Sequence, residues 1–212
     1  MANKFEHVTL IEHPVIHRDL TILRDVSTKT ADFRGALKRI AVMLAYHALK
    51  ELPLKTFDIQ TPIEKTQGYD IDQEIMVVPI LRAGLGLSDA ILQFVPDAKV
   101  GHLGMYRDED THQPVDYYSN IPKGVEDAMV LVVDPMLATG GSADDALTFL
   151  KKRGAQHLRF ISLISAPEGL QLLGKKHPDV HTITAAIDEK LNDDAFIVPG
   201  LGDAGDRYFG TT

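Results

Sequence analysis

Residues 132–142 read Val-Val-Asp-Pro-Met-Leu-Ala-Thr-Gly-Gly-Ser and directly follow the apolar run Ala-Met-Val-Leu at 128–131. An apolar, β-branched run that stops at an acid and leads through small and hydroxyl residues into a helix is typical of the phosphate site of an open α/β sheet. The stretch therefore predicts a strand, a loop and a helix, in that order. It also predicts a phosphorylated ligand.

The spacing of the apolar residues predicts the helix after this loop. Ala143, Ala146, Leu147 and Leu150 fall at i, i+3, i+4 and i+7 and form one stripe. Cationic residues at 151–153 suit the last turn, and Gly154 can end the helix in the left-handed conformation. The loop thus opens onto a helix N-terminus, whose free backbone N–H groups can bind a phosphate dianion.

The side chains of the loop refine this expectation. The hydroxyls of Thr139 and Ser142 add hydrogen-bonding groups, while Gly140 and Gly141 let the backbone come close to the ligand. A carboxylate at Asp134 would repel the phosphate unless it faces hydroxyl groups or a metal. We therefore expect a sugar phosphate whose ribose hydroxyls donate to Asp134.

Strand-like runs alternate with helical segments along the rest of the chain. We expect strands at 74–80, 98–106, 128–133, 158–165 and 181–187, and helices at 31–52, 86–94, 141–153 and 168–176, with Thr30 as an N-cap. Such alternation predicts an α/β fold with a doubly wound, mostly parallel sheet flanked by helices. We expect one domain over residues 1–212, with an N-terminal helical region at about 1–55.

Composition excludes several classes of protein. Lys and Arg number 22 against 30 Asp and Glu, and they form no long basic stripe, which argues against a nucleic-acid partner. The absence of cysteine excludes disulfides, thiolate zinc sites and a cysteine nucleophile. We see no signal-peptide core and no apolar run long enough for a membrane span, so we expect a cytoplasmic protein without a membrane partner.

A second candidate phosphate loop follows the strand at 74–80. The residues Arg82-Ala83-Gly84-Leu85-Gly86 combine one cation with small residues at a strand-to-helix turn, which suits a diphosphate. Taken alone, the pattern is equally consistent with a routine connection and a surface arginine. The polar stretch at 107–118 has a high charge density and no apolar period, so taken alone it indicates a solvated, mobile loop.

The C-terminal residues 196–210 contain three glycines at the spacing of a dinucleotide-binding motif, Gly200, Gly202 and Gly205. That motif needs a following helix, and we expect none because few residues remain. A glycine-rich loop can instead present backbone N–H and C=O groups to the edge of a small planar base. The alternative is a disordered tail, which the apolar lead-in at 196–201 disfavours.

The loop at 134–142 resembles the phosphoribosyl-diphosphate (PRPP) loop of type I phosphoribosyltransferases. Its single acid before Pro135 is similar to the wording of the uracil phosphoribosyltransferases, where most of the superfamily has two adjacent acids. The resemblance covers nearly the whole chain. It implies the type I fold with a flexible arm at about 106–120 and a C-terminal base-binding hood at about 188–212. The arm departs from the family wording at Glu109 and Asp110.

The resemblance also implies an activity, transfer of a phosphoribosyl group from PRPP to N1 of uracil, and roles for individual residues. Catalytic roles fall on Asp134, Arg107 and Asp203. PRPP binding falls on Arg82, Arg107, Asp134, Pro135, Met136, Leu137, Ala138, Thr139, Gly140, Gly141, Ser142 and Asp203. Uracil binding falls on Ile197, Gly202, Asp203 and Ala204. Mg²⁺ is expected as a cofactor held through the diphosphate and water rather than by direct protein ligands, with GTP as a possible effector and a homodimer or homotetramer as the assembly.

Two other functions remain open at this point. The first is the same transfer to a different base, such as a purine, because a loop that reads a base with its backbone discriminates weakly by sequence. The second is a regulator that keeps this fold to sense nucleotides or bind RNA. The acidic charge and the predicted diphosphate arginines argue against the regulator.

Overall fold

The computed structural model describes residues 5–107 and 114–211. The helices are α1 (Pro14–Arg24), α2 (Thr30–Leu49), α3 (Leu85–Phe94), α4 (Gly141–Lys152), α5 (Pro167–Lys176) and α6 (Ala204–Phe209). The strands up to the centre of the chain are β1 (Val8–Leu10), β2 (Leu54–Gln60), β3 (Lys65–Ile71), β4 (Ile75–Pro79), β5 (Lys99–Val100), β6 (His102–Arg107) and β7 (Pro114–Asn120). The later strands are β8 (Met129–Val133), β9 (Met136–Leu137), β10 (His157–Ser165), β11 (His181–Ile187), β12 (Lys190–Leu191) and β13 (Ile197–Val198).

A seven-stranded sheet forms the centre of the molecule, in the order β1-β11-β10-β8-β4-β5, with β9 added beside β10. Neighbouring strands run parallel, and Val133 at the end of β8 is paired with Pro79 of β4 and Ile161 of β10. Parallel strands place their carboxyl ends at one edge, and ligands of open α/β sheets bind there. The loops that follow β4, β8 and β11 therefore meet at the same edge.

Both faces of the sheet are buried, and successive residues of a strand serve opposite faces. In β8, Leu131 packs with α1, α2 and α3 on one face, while Val130 and Val132 pack with α4 and α5 on the other. The predicted doubly wound sheet is thus confirmed. The continuous apolar runs that predicted these strands are typical of strands with helices packed on both faces of the sheet.

The predicted helix boundaries agree with the structure to within a few residues, and two capping predictions can be checked directly. Gly154 has φ +94° and ends α4 in the left-handed conformation, as expected. The prediction of Thr30 as an N-cap is wrong: Thr30 is the first helical residue, and Lys29 caps the helix without a side-chain hydrogen bond. The helix also ends at Leu49 rather than at residue 52.

Two other parts of the fold differ from the prediction. The strand expected at 98–106 divides at Gly101 into β5, which pairs with β4, and β6, which leaves the central sheet and pairs with β7 in an antiparallel ribbon. A second antiparallel ribbon, β2 with β3, lies on the surface. The centre of the predicted arm, residues 108–113, lies outside the described residues. Within the described part of the chain, none of the helices has the length and apolar character needed to cross a bilayer.

Candidate functional site

A cavity of about 250 Å³ at the carboxyl edge of the sheet brings together two segments that are about 60 residues apart in the chain. One segment follows β8 and the other surrounds β13 and the start of α6. Predicted site residues in the lining are Asp134, Met136, Ala138, Ile197, Gly202, Asp203 and Ala204. The lining also includes Ala83, Ala195, Phe196 and Gly205, which the sequence analysis did not single out as ligands.

The loop after β8 is held in place by the neighbouring strand. The backbone N–H of Asp134 donates to the carbonyl of Ile161 at 3.1 Å, and the carbonyl of Pro135 accepts from the N–H groups of Leu163 and Ile164. Leu137 is buried and pairs with Ser165 in the sheet. Pro135 and Leu137 therefore fix the loop against β10, while Asp134, Met136 and Ala138 face the cavity.

The turn into α4 has the geometry of an anion-binding helix N-terminus. Gly140 has φ +85°, a conformation that favours glycine, and a Cβ there would lie 3.1 Å from the Cα of Gly169 on α5. The N–H of Gly141 donates to Thr139 Oγ1 at 3.3 Å, and the side chains of Thr139 and Ser142 are exposed. The turn thus presents the hydroxyls of Thr139 and Ser142 at a helix N-terminus, where the first N–H groups lack intrahelical partners.

Asp134 lines the cavity at the carboxyl edge of the sheet, and its ionisation is unfavourable. Burial, with a smaller contribution from the negative charge of Asp203, raises the pKa of its carboxyl to about 7, while donation from the N–H of Met136 acts in the opposite direction. None of these three influences on the Asp134 pKa comes from a cation. A ligand that donates hydroxyl hydrogen bonds to it would favour the charged form.

The loop after β4 places a cation beside the same cavity. The peptide bond between Leu81 and Arg82 is cis. Arg82 is exposed, and Nη2 lies 3.6 Å from Oδ1 of Asp206 on α6. Gly84 begins the turn into α3, where a Cβ would come within 2.5 Å of the carbonyl of Val133, so only glycine fits this close approach to β8.

The C-terminal loop contains a helix that the sequence analysis did not expect. Asp203 is the N-cap of α6, and its Oδ1 accepts from the N–H of Asp206 at 2.8 Å. The expectation that no helix follows these glycines is therefore wrong. The motif still fails its other requirement, since β13 pairs antiparallel with β12 and is not part of a parallel strand-helix-strand unit.

The two loops also contact each other through their helices. Tyr208 of α6 packs against Gly86 in the first turn of α3, where a Cβ would lie 2.6 Å from the Tyr208 ring. Arg34 of α2 donates from Nε to the carbonyl of Tyr208 at 2.7 Å. The segment that carries the predicted base site is thus packed on the segment that carries Arg82.

The placement of Arg107 is given only by its backbone, at the end of β6 opposite Pro114. Its side chain lies outside the described residues, so its predicted contact with a diphosphate stays a prediction. A larger cavity of about 540 Å³ lies between the β2–β3 ribbon and the edge of the central sheet, and no predicted site residue lines it. The candidate site is therefore the smaller cavity at the carboxyl edge.

Proteins of known family match this chain over nearly its whole length. The family model described as uracil phosphoribosyltransferase matches residues 10–211. A uracil phosphoribosyltransferase of Salinibacter ruber is 55% identical over 206 residues, 97% of this chain and 98% of that protein. One of Clostridium perfringens is 52% identical over 205 residues, 96% of this chain and 98% of that protein.

Solved structures agree with the fold. A protein of Aquifex aeolicus superimposes with a TM-score of 0.90 at 38% identity, covering 97% of this chain and 99% of that one. A purine phosphoribosyltransferase of Pyrococcus horikoshii superimposes with a TM-score of 0.52 at 17% identity, covering 73% and 84%. The second likeness concerns the fold alone.

Proposed function

We propose that this chain, which belongs to the uracil phosphoribosyltransferase family, transfers the phosphoribosyl group of PRPP to N1 of uracil and releases UMP and diphosphate. In this reaction the bond between C1′ of the ribose and the diphosphate oxygen breaks, the bond between N1 and C1′ forms, and the N1 proton is lost. The observation that carries the proposal is the cavity shared by the Asp134 loop and the glycine-rich loop at 197–205.

The proposed binding of PRPP uses three parts of the carboxyl edge. The 5′-phosphate lies at the N-terminus of α4, beside the exposed residues Thr139 and Ser142, where the first N–H groups of the helix lack intrahelical partners. The ribose hydroxyls donate to Asp134. The diphosphate lies by Arg82, which exchanges its contact with Asp206 for phosphate oxygens, and by Arg107.

The proposed binding of uracil uses backbone groups of Ile197, Gly202 and Ala204. Uracil offers two carbonyl acceptors and ring N–H donors, which main-chain N–H and C=O groups can complement. The exposed carboxylate of Asp203 lines the same cavity and is our candidate acceptor for the N1 proton.

Catalysis in this arrangement is electrostatic and positional. Cleavage at C1′ builds positive charge on the ribose and negative charge on the diphosphate. An ionised Asp134 next to the ribose and the arginines next to the diphosphate stabilise both charges as they develop. Because ribose hydroxyls favour the charged form of Asp134, substrate binding prepares the carboxylate for this role.

Mg²⁺ fits the donor chemistry of the site as a substrate-borne ion. Mg²⁺ favours phosphate, carboxylate and water oxygens, and the exposed carboxylate of Asp203 and the half-buried carboxylate of Asp206 border the place proposed for the diphosphate. When bound, the ion neutralises charge on the leaving diphosphate. The residues described above bind and orient the two substrates.

We also propose a homo-oligomer, a dimer or a tetramer. The β2–β3 ribbon supports this proposal because it exposes large apolar side chains, among them Leu54, Phe57, Ile63 and Tyr69. Light scattering coupled to size exclusion measures the mass. Replacing both Phe57 and Tyr69 with serine is expected to shift the protein toward the monomer, and a wild-type monomer at micromolar concentration would contradict the proposal.

GTP as an effector and a cytoplasmic location stay predictions. The proposal that GTP acts on this enzyme rests on the family resemblance. Initial rates at subsaturating PRPP with and without GTP test it, and equal rates over the millimolar range refute it.

A panel of free nucleobases tests the proposed reaction. The protein is incubated with PRPP, Mg²⁺ and one base at a time, and released diphosphate and nucleotide are measured, with Asp134→Asn as the control for contaminating activity. We expect turnover with uracil alone. Turnover with a purine refutes the choice of base, and no turnover with tight binding of a leader RNA in a filter assay favours the regulator.

A further inference from the structure

An arginine–carboxylate clamp ties the glycine-rich loop to the body of the protein. Arg24, the last residue of α1, donates from Nη2 to Oδ1 of Asp188 at 2.6 Å and from Nη1 to Oδ2 at 2.8 Å. The same Nη1 donates to the carbonyl of Gly200 at 2.9 Å, and the N–H of Gly200 donates to Oδ2 of Asp188 at 2.8 Å. Both backbone polar groups of Gly200 are thus bound to this pair.

Asp188 is well placed to act as a fixed support. It directly follows β11, its own N–H donates to the carbonyl of Ser165 at 2.9 Å, and its side chain is 5% exposed. The carboxylate is therefore anchored to the central sheet rather than to a surface loop. A charge-assisted, bidentate contact of this kind is stronger and more directional than a neutral hydrogen bond.

The turn at Gly200 has a conformation that only glycine fits. Gly200 has φ +59°, and a Cβ there would lie 2.1 Å from the carbonyl oxygen of Ile197. The clamp thus holds a tight turn between Ile197 and Gly202, two of the residues that line the candidate base site.

A second arginine supports the next residue of the loop from the same helix end. Arg207 of α6 donates from Nη1 to the carbonyls of Leu201 and Leu23, and from Nη2 to the carbonyl of Asp25 at 2.6 Å. Both anchors therefore meet at the C-terminal end of α1: Arg24 is its last residue, and Arg207 joins Leu201 to the carbonyls of Leu23 and Asp25.

We propose that Arg24 and Asp188 are positioning residues that set the affinity for uracil by fixing the backbone of residues 197–204, without touching the base. The proposal rests on the proposed function. A base read by backbone groups leaves no side-chain rotamer to adjust, so the loop itself must already be in place. Small errors of position are costly in such sites, and a loop that must first be ordered lowers affinity.

The test uses two conservative variants. Arg24→Lys keeps the positive charge but loses the planar fork that binds both carboxylate oxygens and the Gly200 carbonyl. Asp188→Asn keeps the shape, but its amide group turns a donor toward Arg24 or toward the N–H of Gly200. In both variants we expect the KM for uracil to rise about tenfold, the equivalent of one charge-assisted hydrogen bond. The KM for PRPP is expected to change less than twofold.

The matched control is Arg39→Lys. Arg39 of α2 makes a similar bidentate contact with the buried Asp19 of α1, at 2.7 and 3.0 Å, but it touches no residue of the loop. We expect a similar loss of thermal stability with an unchanged KM for uracil. If Arg39→Lys raises the KM for uracil as much as Arg24→Lys does, the effect is general destabilisation and the proposal is overturned.

Hydrogen exchange gives a readout that does not depend on catalysis. Amides of residues 198 and 200–203 are expected to exchange faster in Arg24→Lys and Asp188→Asn than in the wild type, and at the wild-type rate in Arg39→Lys. Unchanged exchange in this segment refutes the clamp. A wild-type protein that makes no UMP refutes the proposed function instead, while the exchange data still decide whether the clamp orders the loop.

Discussion

Replacement of Asp134 with asparagine is expected to raise the stability of the free protein while it removes most of the activity. Burial, with the charge of Asp203, raises the pKa of Asp134 from 3.8 to about 7. The folded protein therefore binds this proton more tightly than the unfolded chain does. The group's contribution to stability is fully present below pH 3.8 and is lost as the pH rises through 7. Asparagine does not titrate, so the Asp134→Asn variant does not lose this stability as the pH rises.

The size of the effect follows from the shift. A change of about three pKa units corresponds to about 4 kcal/mol at 1.36 kcal/mol per unit. The carboxyl faces an open cavity, so we reduce this to about 2 to 3 kcal/mol. Much of the loss falls between pH 5 and 7, so the variant's advantage over the wild type should grow by about 2 kcal/mol from pH 5 to pH 8.

Urea denaturation of the ligand-free protein at pH 5, 6, 7 and 8 measures this difference. Asp97→Asn, in the exposed loop between α3 and β5, is the matched control for the chemical change. A stability difference between Asp134→Asn and the wild type that is the same at pH 5 and pH 8 would refute the reasoning.

The activity of the same variant is a separate readout. An amide cannot accept ribose hydroxyls as a carboxylate does, nor stabilise positive charge on the sugar. Loss of one preorganised contact of this kind costs about 2.7 to 4 kcal/mol in the transition state, so turnover should fall about a hundredfold or more. Near wild-type synthesis of UMP by the folded variant contradicts the role given to Asp134.

The remaining predictions concern the other parts of the site. Arg107→Ala is expected to lower turnover about a hundredfold without a change in thermal midpoint, as is Arg82→Ala; initial rates and calorimetry measure the two properties, and unaffected turnover removes that arginine from the diphosphate site. Asp203→Asn preserves the N-cap of α6 but not the carboxylate, so it should lower turnover about a hundredfold at unchanged stability, whereas Asp203→Ala should also cost about 1 kcal/mol in urea; wild-type turnover in the Asn variant rules out Asp203 as the proton acceptor. Gly140→Ala forces φ +85° on a residue with a Cβ and should cost about 1 to 2 kcal/mol and raise the KM for PRPP, and an unchanged KM would separate that turn from the phosphate. EDTA should stop the reaction and leave the thermal midpoint unchanged, since we expect the metal to arrive with PRPP; a large fall in midpoint would indicate direct protein ligands.

The parts of the fold that sequence patterns predicted are those buried on both sides. Runs such as Met129–Val133 are continuous in apolar character because both faces of the central sheet are covered. The apolar residues at helical spacing in 143–150 form a single buried face, because α4 packs on the sheet with one side. The loop that joins them could be located because its acid, hydroxyls and glycines are adjacent in the chain.

The missed elements lack such a signal. The β2–β3 ribbon is almost entirely exposed, so neither face imposes an alternation on its residues. The departure of β6 from the central sheet occurs at Gly101, where the residues on either side remain strand-like. The clamp between Arg24 and Asp188 joins positions 164 residues apart, and nothing local in either segment marks the pairing.

The contact between Tyr208 and Gly86 limits how this enzyme could be re-engineered. Position 86 has no room for a side chain beside the Tyr208 ring. Recombination that replaces only the C-terminal segment with that of a distant homologue would change residue 208 but leave Gly86, and so break this fit. Positions 86 and 208 should therefore be exchanged as a pair, and a chimera that respects this pairing should retain its melting temperature better than one that does not.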